Sequence, residues 1–515
     1  MSINPPPSSA ESTRFLYNVP PIFPSQMTHL MKFIVKLFPE ITIKSKPVRT
    51  QFVKKLRRNI RTLLRVIDPE LEVEGGWDRV EVVPSTEDPQ LCAQLVERLM
   101  NTPGIAHILE VSQHRFETLH DLFEITRAEV GESLAGKTFC VRASRSGEHE
   151  FTSHEAERYI GGGLNQHTDA LGVRLKDPDT TVRLEIRNKT LSIVRRRYEG
   201  LGGFPLGTQD PVLSLISGGF DSTVSSFLMT KRGVNTHFCF FNLGGKAHEV
   251  GVKEVAYYLW SKFGASHRVM FVSVPFEEVV AEILTRVDNS QMGVVLKRMM
   301  LRAASQIAEE MEIGALVTGE AIAQVSSQTL PNLAVIDAVT DTLVLRPLIA
   351  MDKQDIINIS RRIGTEEFAS HMPEYCGVIS VNPTTRARKH RVEREEERFD
   401  MAVLERAIKG RQAMPINHIL GQLEAQERAA ETAEVASGEV VIDIRHPTEQ
   451  EIKPLELEGV EVIEVPFYAL HSRFAELDPG RQYLLFCEKG VMSQLHAMHL
   501  RDEGFSNVRV YRPSV

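Results

Sequence analysis

Residues 212–229, VLSLISGGFDSTVSSFLM, decide the fold of this chain. An apolar strand over Val212 to Ile216 runs into Ser217-Gly218-Gly219-Phe220-Asp221-Ser222, and a helical stretch follows from Thr223 to Met229. Two glycines let the backbone approach a bound anion closely, serine hydroxyls donate to it, and the helix N-terminus adds partial positive charge. On spacing alone, a glycine turn leading to a serine N-cap fits equally well. Asp221 would repel a phosphate unless a magnesium ion lay between them.

Outward from this segment, apolar strands alternate with amphipathic helices as far as about Gly364. The strands are Val212 to Ile216, Val234 to Asn242, Val269 to Val274, Ala315 to Thr318 and Leu343 to Leu348. That alternation predicts a parallel, doubly wound sheet with its ligands at the carboxyl ends of the strands. Residues 388 to 439 turn polar and helical, rich in glutamate from Glu393 to Glu434, and read as a linker. A second α/β pattern follows: strands Val440 to Ile444, Val462 to Val465 and Tyr483 to Phe486, a helix from about Met492, and a last strand Val508 to Tyr511.

Toward the N-terminus, alternation from Phe33 to Ile43 reads as strand. The next 22 residues, Lys44 to Arg65, hold nine basic side chains and no acidic one. Phe52, Leu56, Ile60, Leu63 and Ile67 recur at helical spacing there, so one face packs on a sheet and the other shows a cationic stripe. In a chain of net charge −8 this stripe points to an anionic polymer, with a solvated helix face as the plain alternative. Residues 92 to 197 read as a separate α+β unit with a helix Leu91 to Met100, strands near 108–111 and 138–143, and an exposed triple glycine, Gly161 to Gly163. Arg142, Arg145 and further arginines on its strands suit backbone phosphates better than base edges. A P-loop pattern, Gly131-x4-Gly136-Lys137-Thr138, is set aside: a helix precedes it and a strand follows, the reverse of what phosphate binding requires.

The 515 residues amount to about three to four domains. Five scattered cysteines without a CxxC pair suit neither a disulfide scaffold nor a structural zinc site, which favours a reducing, cytoplasmic setting. No run reaches the ~18 apolar residues of a membrane span, so no membrane partner is expected. Residues 1–30 are rich in proline and serine and read as a disordered leader. Met31 is then the expected start, which the intact mass of protein from its native host checks.

SGGFDS at 217–222 resembles the PP-loop of N-type ATP pyrophosphatases, which cleave ATP between its α and β phosphates and adenylate a substrate oxygen. With MGVVLKRMML (292–301), VTGEAIAQVSSQTL (317–330), LVLRPLIAMDK (343–353) and MPEYCGVIS (372–380), it makes residues 31–515 similar to the bacterial tRNA uracil 4-sulfurtransferases that also serve thiamine thiazole synthesis. The resemblance implies a multidomain α/β and α+β chain. After the leader come a ferredoxin-like N-terminal domain (31–91), a THUMP domain that binds tRNA (92–197) and a doubly wound PP-loop ATP pyrophosphatase domain (198–388). A helical acidic linker (389–435) then leads to a C-terminal rhodanese-like α/β domain (436–515).

The activity so implied is ATP-dependent transfer of sulfur from a cysteine persulfide to C4 of the tRNA uridine at position eight, through an adenylated intermediate. Sulfur transfer to the thiamine sulfur-carrier protein comes with it. The cofactors are ATP and Mg2+, with Asp221 a candidate for the metal. The partners are tRNA, a cysteine desulfurase as donor, the carrier protein and a cellular reductant. ATP contacts fall on Leu215, Ile216, Ser217, Gly218, Gly219, Ser222, Lys297, Gly319 and Gln328. Taken by themselves, Lys297 reads equally as a solvated lysine, Gly319 as a strand end and Gln328 as a loop cap. Lys353 is placed to neutralise phosphate or departing pyrophosphate. Lys54, Lys55, Arg57, Arg58, Arg61, Arg142 and Arg145 are the expected tRNA contacts, with binding that weakens steeply as salt rises.

Cys487 ends a strand and opens a loop before a helix, where converging amides lower a thiol pKa and hold a persulfide anion. Lys489 stands where many rhodaneses have arginine. Cys376, in an exposed Pro/Gly loop, is the implied disulfide partner of Cys487, so the C-terminal domain has to swing on its linker to reach it. Asp443 and Arg445 match a structural pair of the family. Cys92, Cys140 and Cys239 sit in apolar stretches as core residues.

Overall fold

The computed structural model describes residues 30–76, 79–243, 245–372, 382–419, 430–445, 447–466, 470–487 and 491–513. The leader, Cys376 and Lys489 lie outside the described residues. Residues Ser112–Val194 form one compact unit, and Met31–Val111 with Arg195–Val515 the other.

In the larger unit, β1 (Leu30–Leu37), β2 (Glu72–Gly75), β3 (Arg79–Val83) and β4 (Ile105–Arg115) lie in the order β2-β3-β1-β4, with β3 antiparallel to both neighbours among the first three. Phe33, Val35, Val80 and Val82 point to a core completed by Phe52, Leu56 and Ile60 of the basic helix Lys46–Leu64. The alternation expected to continue to Ile43 stops at Leu37. Pro39 fixes φ at the first turn of a short helix, Pro39–Thr42, which buries Ile41 and leaves Ile43 exposed. Helix Pro89–Met100, expected to open the second domain, belongs to this first core through Leu95, Val96 and Leu99.

The smaller unit pairs β5 (Thr138–Ser146) in parallel with both β6 (Gly172–Val173) and β7 (Thr180–Arg187), and β7 runs antiparallel to β8 (Thr190–Gly202). Helices Leu119–Val130 and Ser153–His167 cover the sheet, each started by a capping box, Thr118 with Asp121 and Thr152 with Glu155. The triple glycine, expected to be exposed, lies inside the second helix, where Gly161 is buried, Gly163 half-buried and Gly162 exposed. A Cβ at Gly163 would meet the Phe123 ring at 2.5 Å, so glycine here lets two helices approach closely. Lys137 donates to the Ser133 carbonyl at 3.0 Å between a helix and a strand, in keeping with setting that motif aside.

Beyond β8 stands the doubly wound sheet. β9 (Gln209–Leu215), β10 (Val234–Asn242), β11 (Met270–Pro275), β12 (Ala315–Val317) and β13 (Leu343–Leu345) are parallel in the order β13-β12-β9-β10-β11. The winding reverses between β9 and β12, which opens a crevice at their carboxyl ends. The linker expectation fails for residues 389–419. Helices Lys389–Glu396 and Met401–Lys409 bury Val392, Val403, Leu404, Ala407 and Ile408 in the core of this domain. β14 (Gln412–Pro415) adds an antiparallel edge to β11. Glu393 and Glu397 face solvent, while Glu395 accepts from the Asp288 amide at 2.9 Å and Glu396 closes on buried Arg298 at 2.6 and 2.7 Å.

The chain ends in an all-parallel sheet of β15 (Glu431–Thr432), β16 (Val440–Asp443), β17 (Glu461–Glu464), β18 (Tyr483–Phe486) and β19 (Val508–Tyr511), ordered β15-β19-β18-β16-β17. Its apolar residues are continuous with those around helix Gly245–Leu259. Asp443 and Arg445 form a buried pair closed at 2.6 Å, a structural clamp. Among the described residues no helix is long and apolar enough to cross a membrane.

Candidate functional site

The loop after β9 is folded by its own hydroxyls. The Ser217 amide donates to Ser222 Oγ at 3.1 Å, Ser222 Oγ donates back to the Gly219 carbonyl at 3.2 Å, and Thr223 reaches the Gly218 carbonyl at 3.4 Å. Gly219 caps helix Phe220–Lys231, whose first-turn amides face the crevice. Gly218 has φ +84°, and a Cβ there would strike Met372 Cε at 2.5 Å. His248 Nε2 lies 3.3 Å from the Ser217 carbonyl and seats the loop on helix Gly245–Leu259. Leu215 ends the strand, and the amide of Ile216, the next residue, donates to the Cys239 carbonyl at 2.9 Å.

Two further loops converge on Asp221. Lys353, at the start of helix Lys353–Ile363, brings Nζ to 2.9 and 3.1 Å from the two carboxylate oxygens, and Gln324 Nε2 donates to Oδ2 at 2.8 Å. Gly319 follows β12 so closely that a Cβ would lie 2.6 Å from the Asp221 carbonyl carbon and the Ser222 nitrogen, which excludes any side chain. Beside it, Glu320 binds Lys297 Nζ at 2.8 Å and Arg346 Nε at 2.8 Å. Burial pushes the Glu320 carboxyl up, but Lys297 and Arg346 outweigh it and hold it below the ordinary carboxylate range. Gln328 is buried, and its Oε1 has no hydrogen-bond partner among the described residues. An orphaned buried acceptor beside loop amides and two lysines fits a ligand that combines an NH donor with phosphates, such as ATP. Lys297, Lys353 and the loop amides would hold those phosphates. A magnesium ion bound with them would supply charge neutralisation.

Cys487, at the end of β18, is buried. Its sulfur accepts from the Ser493 amide at 3.3 Å and lies 3.3 Å from Ser493 Oγ, at the first turn of helix Val491–Asp502. Cys487 belongs to the same apolar core as Val252, Val255 and Ala256 of helix Gly245–Leu259, and burial first, then Cys487, push the phenol of Tyr257 on that helix up. His248, which touches the glycine loop, and Tyr257, whose phenol senses Cys487, are thus on one helix, nine residues or about 14 Å apart along its axis. Sequence reasoning missed Gln324, Glu320, Arg346, His248, Tyr257 and Ser493. The first two lie inside the 317–330 stretch and Arg346 inside 343–353, while the last three are defined only by contacts between distant segments.

Glu254, on the same helix, is buried against the C-terminal domain, and burial pushes its carboxyl up to about 8. Its Oε1 lies 3.8 Å from His496 Nε2, too long for a hydrogen bond, and burial keeps the acid protonated at neutral pH. The folded state therefore binds this proton more tightly than the unfolded chain. The associated stability is complete below the ordinary value of 4.5 and is lost as pH climbs through about 8. The slope is up to about 1.4 kcal/mol per pH unit. Glu254→Gln is expected to flatten the fall in melting temperature between about pH 7 and pH 8.5, above the ordinary histidine range. An unchanged pH slope in that variant would contradict the buried neutral acid.

The expected tRNA contacts divide. Lys54, Lys55 and Arg58 line an open groove of about 370 Å³ with Pro47, Thr50 and Gln51. Arg57 packs along Gly75, and Arg61 donates to the Val73 carbonyl at 3.1 Å. In the smaller unit, exposed Arg142 donates to the Leu175 carbonyl at 3.1 Å and Arg145 lies 3.2 Å from His149 Nδ1. Cys92, Cys140 and Cys239 are buried, and burial pushes the Cys92 thiol up to about 11 and Cys239 up to about 12, so neither is ionised at neutral pH.

Comparison with known proteins places these features in one lineage. Residues 207–401 match the family model described as thiamine biosynthesis protein (ThiI), 116–194 the THUMP domain and 32–108 the ThiI ferredoxin-like domain. The tRNA sulfurtransferase of Azotobacter vinelandii is 60% identical over 484 residues, 94% of this chain and 100% of that protein. That of Saccharophagus degradans is 56% identical over 483 residues, again 94% of this chain and all of the relative. A crystal structure of a 4-thiouridine synthetase in complex with RNA and bound ATP superposes with a TM-score of 0.65 at 28% identity, covering 75% of this chain and 99% of that one. The ferredoxin-like, THUMP and ThiI matches in that order along the chain, and identity at this level across nearly the whole length, together make the chain a member of the tRNA sulfurtransferase family.

Proposed function

We propose that the chain uses ATP to replace the C4 oxygen of a tRNA uridine, at position eight, with sulfur delivered from Cys487 of a rhodanese-like C-terminal domain. The observation that carries this reading is a shared platform. Helix Gly245–Leu259 seats the phosphate loop through His248 and shares one apolar core with Cys487 through Val252, Val255 and Ala256.

The C4 oxygen is a poor leaving group. Its attack on the α-phosphorus of ATP forms the O–P bond, breaks the bond to the β-phosphate and releases pyrophosphate. The loop amides, Lys297 and Lys353 stabilise the charge that builds on the phosphates. Asp221, clamped between Lys353 and Gln324, fixes the position of that lysine. The terminal sulfur of a Cys487 persulfide, loaded by a cysteine desulfurase, then attacks C4 and AMP leaves. The Cys376 thiolate attacks the Cys487 sulfur, which frees the thiocarbonyl and leaves a Cys376 to Cys487 disulfide. A two-electron reductant reopens it to two thiols. Lys54, Lys55 and Arg58 grip the tRNA backbone, the THUMP unit adds Arg142 and Arg145, and the reaction runs in the cytoplasm with Mg2+ bound to ATP. Passing the same persulfide sulfur to a carrier protein for thiamine synthesis needs Cys487 and not the nucleotide crevice.

Mass spectrometry of nucleosides from tRNA incubated with the protein, ATP, magnesium, cysteine and a desulfurase tests this. The expected products are 4-thiouridine and an equal amount of AMP. Release of ADP in place of AMP would overturn the adenylation step, and unmodified uridine would overturn the whole reading.

A further inference from the structure

We propose that Gln324 is a positioning residue for adenylation, holding the Asp221 carboxylate in the plane that Lys353 requires. The proposal rests on the adenylation reading above and extends it to a residue outside the phosphate loop.

The geometry at Asp221 is a two-sided clamp. Lys353 Nζ donates to Oδ1 at 2.9 Å and to Oδ2 at 3.1 Å, bridging the carboxylate from one side. Gln324 Nε2 donates to Oδ2 at 2.8 Å from a different loop. A single bridging lysine leaves a carboxylate free to turn about its Cβ–Cγ bond, because that torsion is broad. A second donor on one named oxygen removes this freedom. The lysine ammonium, a point charge on a flexible stem, is then held where the carboxylate holds it.

The loop that presents Gln324 is tightly determined. Its base, Gly319, lies against the Asp221 and Ser222 backbone with no room for a Cβ. Its tip turns at Ala323, which has φ +62°, a left-handed conformation that an alanine rarely adopts. The Ala323 amide donates to the Gln328 carbonyl at 3.1 Å, and the Ile322 amide to the Ile349 carbonyl at 3.1 Å. The loop thus ties three things together: the first turn of the helix after the phosphate loop, the carboxylate clamp, and Gln328 with its orphaned buried acceptor. Strain of this kind persists where surrounding structure over-determines a residue, and here the residue next in sequence makes the contact to Asp221.

Gln324 is half-buried, so substitution leaves the core intact. Gln324→Met keeps the length of the side chain and removes the donor. Gln324→Glu keeps the shape and sets a second carboxylate against Asp221. Loss of a hydrogen bond to a charged group corresponds to about 10- to 100-fold. The full-length protein is assayed with tRNA, ATP, magnesium, cysteine, a desulfurase and a thiol reductant for AMP formation, with melting temperature followed in parallel. The Met variant is expected to lose about tenfold in kcat, and the Glu variant more, while KM for ATP and for tRNA stay within about twofold and persulfide loading of Cys487 is unchanged. A residue that merely closed its loop would raise KM or lower the melting temperature and leave kcat alone, and that pattern would overturn the proposal. Wild-type protein yielding AMP while both variants match its kcat would also overturn it. Wild-type protein yielding ADP would instead overturn the adenylation reading, and this role with it.

Discussion

Serine in place of Cys487 is expected to bring 4-thiouridine formation to background while ATP is still cleaved to pyrophosphate and adenylated tRNA. An alcohol oxygen cannot take up and hand on sulfane sulfur, so the loss is of the delivering atom and not of its acidity. The substitution is close to isosteric. The Cys487 sulfur contacts Ser493 through its amide and its hydroxyl at 3.3 Å, and a serine oxygen fits the same place. The C-terminal sheet and its packing on helix Gly245–Leu259 therefore survive, and pyrophosphate release reports an intact crevice. Labelling of persulfide on the protein after incubation with a desulfurase and cysteine is expected to vanish in parallel. Undiminished thiolation by the serine variant would remove the sulfur relay from the account and leave only nucleotide chemistry.

Glu396→Ala is expected to destabilise the nucleotide-binding domain by about 3–5 kcal/mol, the range for breaking a buried ion pair from one side. Arg298 is 2% exposed, and Glu396 takes its Nε at 2.6 Å and Nη2 at 2.7 Å, with Arg302 at 3.0 Å from the same carboxylate. Nη1 of Arg298 donates to the Val335 carbonyl at 2.6 Å, so the guanidinium cannot swing to solvent when its partner is removed. A charge is then left without compensation among Met299, Leu301 and Val335. Chemical denaturation followed by fluorescence checks this as a lower midpoint. A midpoint within error of wild type would mean that the helix Lys389–Glu396 is dispensable. Replacing Arg298 with Met and Glu396 with Leu together is expected to restore much of the loss, since an apolar pair needs no desolvation.

That second result bears on how much of the molecule is legible in its residues. The segment from 389 reads as a linker because its composition is dominated by glutamate. Period, and not composition, decided the matter: Val392, Phe399, Val403, Leu404, Ala407 and Ile408 form one stripe, and that stripe is buried. The triple glycine misled in the same way. Glycine costs helix stability in isolation, but Gly163 stands where the Phe123 ring leaves no space for a methyl group, and packing outweighs propensity. At Ile41 the error was local, since Pro39 ends the strand and starts a helix turn.

The crevice was more readable than its surroundings. Strand, glycine loop and helix lie consecutively in the chain, so their chemistry is local, and the sites at Gly319 and Lys353 follow from strand ends at the edge where a doubly wound sheet receives ligands. By itself the order of residues determined which strands of the doubly wound sheet are parallel and that Cys92, Cys140 and Cys239 are core, because each of these depends on near neighbours and on periodicity. Only the tertiary structure decided that Gln324 and Lys353 share one carboxylate, that Glu320 holds both Lys297 and Arg346, and that Tyr257 and Glu254 meet the domain bearing Cys487. Those pairings join residues up to 242 positions apart, and no local pattern specifies a contact whose geometry is set by how separately stable layers pack.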